Sequence, residues 1–190
     1  MILLVLGCVE LGDLARKVAP GASAAPPLPS CATEGEAPAA RGCLSGALGC
    51  GSRLSGTTLG GDSAWDDDFY ATAFCFPAGQ HHSGAERVYT LTAPKDTQVT
   101  VRMTSTCVDL DLAAVAWDYD GRCPTVKHPI TECEGDVRPG PGGSVMMQAF
   151  HERQYLIVVD GKDGAVGPFE LSVECAPLRP IEDRGKAPVK

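Results

Sequence analysis

Aspartates are concentrated in the segment "GDSAWDDDFY", which ends at Tyr70. Asp62, Asp66, Asp67 and Asp68 place four carboxylates close together in the chain. Calcium takes about six to eight oxygen ligands, often from loop aspartates and carbonyl groups, so several of these side chains could bind it. No EF-hand pattern occurs, and a solvated acidic loop is the alternative. The segment therefore predicts a calcium site that a chelator would test.

A second pair of carboxylates, Asp109 and Asp111, lies in "VDLDL". Alternate residues of a strand share one face, so the two side chains would point the same way. Two carboxylates on one face could perform acid–base chemistry. We favour the alternative, in which an aspartate accepts hydrogen bonds from neighbouring loop amides.

Three aromatic residues, Trp65, Trp117 and Tyr119, could form a binding face for sugar or peptide ligands. Trp117 ends a predicted strand and Tyr119 follows in the loop "DYDGRC", so both would lie at one rim. Packing of Trp117 in the core is the alternative that we favour.

Motifs of known catalytic sites are missing from the sequence. The four histidines lack metal-binding spacing such as H-E-x-x-H, and we predict that they are solvated: His81, His82, His128 and His151. There is no G-x-S-x-G nucleophile elbow and no G-x-x-x-x-G-K phosphate loop. We therefore predict a protein that is not an enzyme.

The chain has nine cysteines: Cys8, Cys31, Cys43, Cys50, Cys75, Cys107, Cys123, Cys133 and Cys175. Structural zinc sites usually contain paired C-x-x-C motifs, and none occurs here. Disulfides in an oxidising compartment are therefore favoured over a metal site. Pairs that bracket a loop are favoured first, and the others are assigned from the remaining cysteines. The predicted bonds are Cys75–Cys107, Cys123–Cys133, Cys31–Cys43 and Cys50–Cys175.

Because the number of cysteines is odd, one of them has no partner within the chain, and Cys8 is the candidate. It follows the apolar run "MILLVLG", and "VLGC" is typical of the end of a bacterial lipoprotein signal, where the cysteine is lipidated. The run is short and no Lys or Arg precedes it, so a free cysteine on an untargeted chain is the alternative. No other segment has the length of apolar sequence that a membrane-spanning helix needs.

Composition divides the chain into four parts. Residues 1–8 form the possible, truncated signal, and residues 9–54 form a tether rich in Ala, Pro and Gly that disulfides would pin. Residues 55–175 form the folded domain, and residues 176–190 form a disordered tail. The formal net charge of −8 argues against nucleic acid as a partner, because phosphate binding requires a basic patch.

Alternating apolar and polar residues predict about seven or eight strands and no helix in the folded domain. The clearest strands are 87–93, 97–105, 110–117, 144–150, 155–160 and 169–175. Consecutive apolar residues in "YLIVVD" predict a central strand that is covered on both faces. In "FELSVEC", Phe169, Leu171 and Val173 would face inward. The pattern indicates an all-β sandwich.

The order of these segments resembles the bacterial pre-peptidase C-terminal domain, in the disulfide-bearing form of secreted proteins and lipoproteins. The resemblance runs from Thr57 to Cys175 through "GTTLGGDSAWDDDFY", "GAERVYTLTAP", "DLDLAAVAW" and the closing "YLIVVDG" and "GPFELSVEC". It implies a jelly-roll-like antiparallel β-sandwich that is not catalytic and that binds calcium near its start. It also implies that the last strand pairs with the strand of Tyr155.

We therefore predict an extracytoplasmic, non-catalytic binding module of a bacterial cell envelope. Its ligand would be a polysaccharide or a protein, and it would meet the membrane only through a lipid anchor. No cofactor is predicted apart from calcium. The alternative is a structural or accessory envelope lipoprotein without a ligand site.

Overall fold

The computed structural model describes residues 43–73, 76, 79–119, 121–128, 130 and 132–178. Within these ranges there are nine strands and one short helix. Their bounds are β1 Leu44–Leu48, β2 Arg53–Thr57, α1 Asp67–Ala73, β3 Arg87–Ala93, β4 Thr97–Thr104, β5 Leu110–Ala116, β6 Cys133–Asp136, β7 Gly142–Ala149, β8 Arg153–Gly161 and β9 Pro168–Pro177.

The strands form two sheets that pack face to face. One sheet has the order β1-β3-β8-β5-β6, and the other has the order β2-β9-β4-β7. All strand pairs are antiparallel except β1 with β3. The predicted all-β sandwich is confirmed, and the six clearest predicted strands correspond to β3, β4, β5, β7, β8 and β9.

The start of the domain was predicted too late in the chain. β1 and the first residues of β2 lie in the segment 9–54, which was predicted to be a tether. Both strands are short and rich in Gly and Ser, so neither has the apolar alternation that identifies a strand. β9 likewise continues through Ala176 and Pro177, which were assigned to the tail. Residues 1–42 and 179–190 lie outside the described residues.

β8 is the central strand of the five-stranded sheet, as "YLIVVD" predicted, and its residues Tyr155–Gly161 are buried. The predicted pairing of the last strand with β8 is wrong. β8 pairs with β3 on one side and β5 on the other, so neither edge is free for β9. β9 instead lies in the opposite sheet, between β2 and β4.

The two sheets bury their facing side chains in a first core, which includes Leu91, Val101, Ile157 and Leu171. A second apolar cluster covers the outer face of the five-stranded sheet. There, Trp65, Tyr70 and Phe76 pack against residues of β3, β5 and β8. Because β8 contributes to both clusters, its sequence is apolar at consecutive positions.

The structure contains the predicted Cys50–Cys175 bond, but it pairs Cys43 with Cys123. The predicted bonds Cys31–Cys43 and Cys123–Cys133 are therefore wrong. Both predictions paired cysteines that are close in the sequence. Cys43 and Cys123 are 80 residues apart in the sequence, but in the folded chain their Cα atoms are only 5.8 Å apart. Cys107 and Cys133 each form a disulfide as well, and the predicted Cys75–Cys107 bond stays a prediction, because Cys75 lies outside the described residues. The remaining three cysteines lie outside the described residues: Cys8, Cys31 and Cys75.

These disulfides indicate an extracytoplasmic location, because cytosolic proteins keep their thiols reduced. In the part of the chain that the structure describes, no helix has the length and apolar character to cross a membrane.

Candidate functional site

The outer face of the four-stranded sheet is the candidate binding surface. Alternation in its strands sends every second side chain into the core and leaves the others on the surface. In β9, Phe169, Leu171 and Val173 are buried, as predicted, while Glu170 and Glu174 are exposed. Most of the outer face of the other sheet is covered by the second apolar cluster, so the two faces differ in accessibility.

Strand register brings two arginines into one row across this face. Ser172 of β9 pairs with Arg53 of β2 on one side and with Arg102 of β4 on the other. Neighbouring strands lie about 4.8 Å apart, so the two arginine Cα atoms lie roughly 10 Å apart. Both arginines are exposed, with Ser172 between them.

The next row carries hydroxyl groups and a carboxylate. Glu170 of β9 pairs with Ser55 of β2 and with Thr104 of β4. These three residues line both of two shallow depressions, of about 380 Å³ and about 370 Å³, and the first depression also includes Arg53 and Arg102. The two depressions therefore adjoin and form a groove across β2, β9 and β4, which we call the β2–β9–β4 groove.

The arginine side chains are available to a ligand. Arg102 has a distant ion pair with Glu174, with 4.0 Å between Nε and Oε2, and these side chains are 56% and 69% exposed. Pairs of this kind contribute only about 0–1 kcal/mol, because water screens the two charges. A ligand carboxylate would therefore replace Glu174 at little cost.

Under the second apolar cluster lies a buried polar network that the sequence did not reveal. His82 was predicted to be solvated, but its side chain is fully buried against the outer face of the five-stranded sheet. Its Nε2 lies 2.8 Å from Oδ2 of Asp111, and Oδ1 of Asp111 lies 3.3 Å from Nζ of Lys162. An ionised carboxylate only accepts hydrogen bonds, so Nε2–H of His82 donates to Asp111. The network joins the loop before β3 to β5 and to the end of β8.

Two further buried acids lie nearby. The hydroxyl of Tyr70 donates to Asp160 at 2.5 Å, and burial raises the pKa of Asp160 to about 6. Glu86 accepts hydrogen bonds from the N–H groups of Ala64 and Trp65, and burial raises the pKa of Glu86 to about 7. The crevice beside Glu86 holds about 10 Å³, which leaves no room for a substrate. These groups fasten α1 and the preceding loop to the sheet.

Stability is expected to fall as the pH rises from about 4.5 to 7.5. An acid whose pKa is raised by folding binds more protons in the native state, so its contribution is present below about pH 4 and is lost as the pH passes its folded pKa. Glu86 and Asp160 act in this direction. Asp67 has the opposite effect on stability. The N–H of His82 donates to its carboxylate and lowers its pKa, so the stability that Asp67 contributes is present at neutral pH and is lost in more acidic solution.

Urea unfolding at several pH values measures this profile. A midpoint that stays constant or rises between pH 4.5 and 7.5 would contradict the expectation. Glu86→Gln should reduce the slope, since Gln does not titrate, whatever it does to absolute stability.

The predicted calcium residues have separate positions in the structure. Oδ1 of Asp66 accepts the N–H of Phe69 at the start of α1, and the carboxylate of Asp67 accepts the N–H groups of His81 and His82. Asp62 and Asp68 are exposed. The described ranges contain no group of three or more His, Cys, Asp or Glu residues that could hold a metal ion. Calcium binding at these aspartates stays a prediction.

The predicted aromatic binding face is wrong. Trp65 and Trp117 are buried in the second apolar cluster, and the indole N–H of Trp117 donates to the carbonyl of Arg122. Tyr119 is half-buried and contacts the rings of Trp117 and His128. These residues form part of the fold, which was the favoured alternative for Trp117.

Asp109 and Asp111 have separate structural roles. Oδ1 of Asp109 accepts the N–H of Gly140, which is the amide-binding role that we favoured. Asp111 is in the buried network with His82 and Lys162. Of the remaining histidines, His81 and His151 are exposed and His128 is half-buried.

The arginines of the β2–β9–β4 groove were missed by sequence reasoning. The alternation of β4 places Arg102 outside, but it carries no information about which strand lies beside β4. Arg53 lies in the segment that was predicted to be a tether. No sequence signal associates it with Arg102.

No protein-family model matches the chain, and no curated protein matches its sequence. Its fold is similar to the pre-peptidase C-terminal domain of a collagenase from Bacillus anthracis, with 12% identity and a TM-score of 0.41, over 71% of this chain and 100% of that one.

Two other solved structures are similar. One is a periplasmic inhibitor of g-type lysozyme from Aeromonas hydrophila, with 13% identity and a TM-score of 0.40, over 68% of this chain and 96% of that one. The other is a surface-associated copper-binding protein of Methylomicrobium album BG8, with 9% identity and a TM-score of 0.41, over 70% of this chain and 98% of that one.

Proposed function

We propose that this protein is a non-catalytic, extracytoplasmic binding module of a bacterial cell envelope, and that it binds its ligand in the β2–β9–β4 groove. The observation that carries the proposal is the difference between the two outer faces. Most of one face is covered by α1 and the second apolar cluster, although Thr92 at the end of β3 is exposed, and the other face is open, polar and concave.

Catalysis at this surface is not supported by its chemistry. The groove contains the carboxylate of Glu170 and several hydroxyl groups, and no histidine or cysteine lines the two depressions. The polar groups that could transfer protons, such as His82 and Asp160, are buried under the opposite face. The groove can instead donate and accept hydrogen bonds along an extended ligand.

The ligand belongs to the polysaccharides or proteins of the cell exterior. A lipid anchor at Cys8 would hold the domain at the membrane, with the open face directed to the surroundings.

Blocking the groove tests this function. The full-length oxidised protein would be mixed with insoluble collagen, chitin, cellulose and peptidoglycan, and depletion from solution would be measured. Ser172→Tyr places a large side chain in the centre of the groove, so it should reduce retention on the bound polymer at least about tenfold, the loss that about 1.4 kcal/mol of binding energy gives.

Thr92→Tyr is the matched control, because Thr92 is exposed on β3 of the other sheet. It should leave retention unchanged. Equal loss in both variants, or retention that Ser172→Tyr does not affect, would contradict binding in the groove. Retention on no polymer or soluble partner would favour the accessory lipoprotein.

A further inference from the structure

The β2–β9–β4 groove has the chemistry of a site for an anionic sugar polymer. We propose that it binds a polysaccharide that carries carboxylate groups, and that Arg53 and Arg102 bind those carboxylates. This inference rests on the proposed function, because it identifies the class of ligand for the same surface.

The charges of the groove support an anionic ligand. The first depression is lined by two arginines and one glutamate, so its lining has a formal charge of +1, whereas the whole chain has a formal net charge of −8. Glu174 lies outside this lining and forms only the distant, exposed ion pair with Arg102. Guanidinium groups bind carboxylates through two parallel hydrogen bonds, and such charge-assisted bonds are stronger than neutral ones. The row Arg53, Ser172, Arg102 offers two such donors with a hydroxyl group between them.

The hydroxyl side chains support a sugar polymer. Ser55, Ser172 and Thr104 each supply a hydroxyl that donates and accepts hydrogen bonds, as the hydroxyl groups of a sugar do. The exposed outer positions of β2, β4 and β9 carry no aromatic ring on which a neutral sugar would stack. Phe169 lines the second depression, but only 3% of it is exposed. Charge, and not stacking, would therefore select the ligand.

The backbone of the groove argues against an extended acidic peptide. Peptides that bind to sheets usually pair with the N–H and C=O groups of a free edge. β9 is paired with both β2 and β4, and β4 is paired with both β9 and β7, so the floor that these two strands form offers side chains only. β2 is an edge strand, and its free edge lies at the rim of the groove, beyond Arg53. A polymer that carries hydroxyl and carboxylate groups can bind to side chains alone and needs no backbone pairing.

Binding of polygalacturonate to the full-length oxidised protein tests the proposal. Its fully methyl-esterified form is the neutral comparison, and poly-glutamate is the peptide comparison. Polygalacturonate should bind, and the affinity should fall with added salt, since exposed charges are screened within about 8 Å at physiological ionic strength. The methyl ester should bind at least about tenfold more weakly, as expected when a charge-assisted bond is lost.

Arg53→Gln and Arg102→Gln should each weaken the binding of polygalacturonate about tenfold, and the double variant should weaken it about a hundredfold. Lys127→Gln is the matched control, because it removes the same charge from an exposed loop that does not line the groove. It should leave the affinity unchanged. An unchanged melting temperature would show that each variant is folded.

The possible failures are distinguishable. Arginine-dependent binding of poly-glutamate that equals or exceeds that of polygalacturonate would overturn the proposal in favour of an acidic protein. If Ser172→Tyr abolishes binding of a neutral polymer that the arginine variants still bind, the inference is wrong and the proposed function stands. If neither Ser172→Tyr nor the arginine variants change any binding, both are wrong.

Discussion

Asp111→Asn is expected to lower the free energy of unfolding by about 3 kcal/mol, as the loss of one partner of a buried ion pair does. Asp111 is fully buried, between Nε2 of His82 and Nζ of Lys162. Asn preserves the shape but removes the charge that the lysine faces. Its NH2 group also replaces one of the two carboxylate oxygens, so a donor then faces either the N–H of His82 or the ammonium group of Lys162. Urea unfolding at constant pH measures the change.

Asp163→Asn is the matched control for this variant. Asp163 is exposed in the turn after β8 and has a positive φ of 50°, a conformation that Asn adopts readily. We expect a change within about 0.5 kcal/mol, as for an ordinary surface substitution. If both substitutions change the free energy of unfolding by the same amount, the contacts of Asp111 with His82 and Lys162 do not stabilise the fold.

Removal of the Cys50–Cys175 bond by the double change Cys50→Ser and Cys175→Ser is expected to lower the free energy of unfolding by about 4 kcal/mol. Cys50 and Cys175 are 125 residues apart in the sequence. A disulfide that closes a long loop lowers the entropy of the unfolded state more than one that closes a short loop. The control is the same comparison after full reduction. Wild type then lacks the bond as well, so the difference between the two proteins should disappear.

The same variant should weaken binding in the groove. β2 is an edge strand whose only partner is β9, and Cys50 lies in the turn that precedes it. The bond therefore helps to hold Arg53 beside Ser172. We expect weaker binding of polygalacturonate in the oxidised double variant at a temperature where it is still folded. Unchanged affinity would show that pairing with β9 is sufficient to position β2.

The open face of the groove was partly predictable. Alternation in "TQVTVRMTS" and "FELSVEC" identifies which side chains of β4 and β9 are buried, because a half-buried strand must alternate. Glu170, Ser172 and Arg102 therefore belong to the surface by local pattern alone. The position of Arg53 was not predictable, since β2 is short and its alternation is interrupted by Gly56.

The buried network illustrates the limits of local pattern. His82 lies in a polar loop, and its sequence neighbours suggest a solvated side chain. It is buried because Asp67 binds the N–H groups of His81 and His82 and because Asp111, far along the chain, faces its ring. Trp65 is buried for a similar reason: its partners are on β3, β5 and β8.

By itself, the sequence determined the all-β class, six of the strands and the central position of β8. The Cys50–Cys175 bond was predicted only as a pairing of the remaining cysteines, and the structure confirms it. Periodicity and composition are local properties of the sequence. They indicate which side chains of a strand are buried, but they do not specify which strands lie beside it. Only the tertiary structure decided that β9 lies between β2 and β4, that Cys43 meets Cys123, and that Arg53 and Arg102 share one row. Those outcomes depend on which strand edges remain free once β3, β8 and β5 have paired, and this is a property of the assembled sheets.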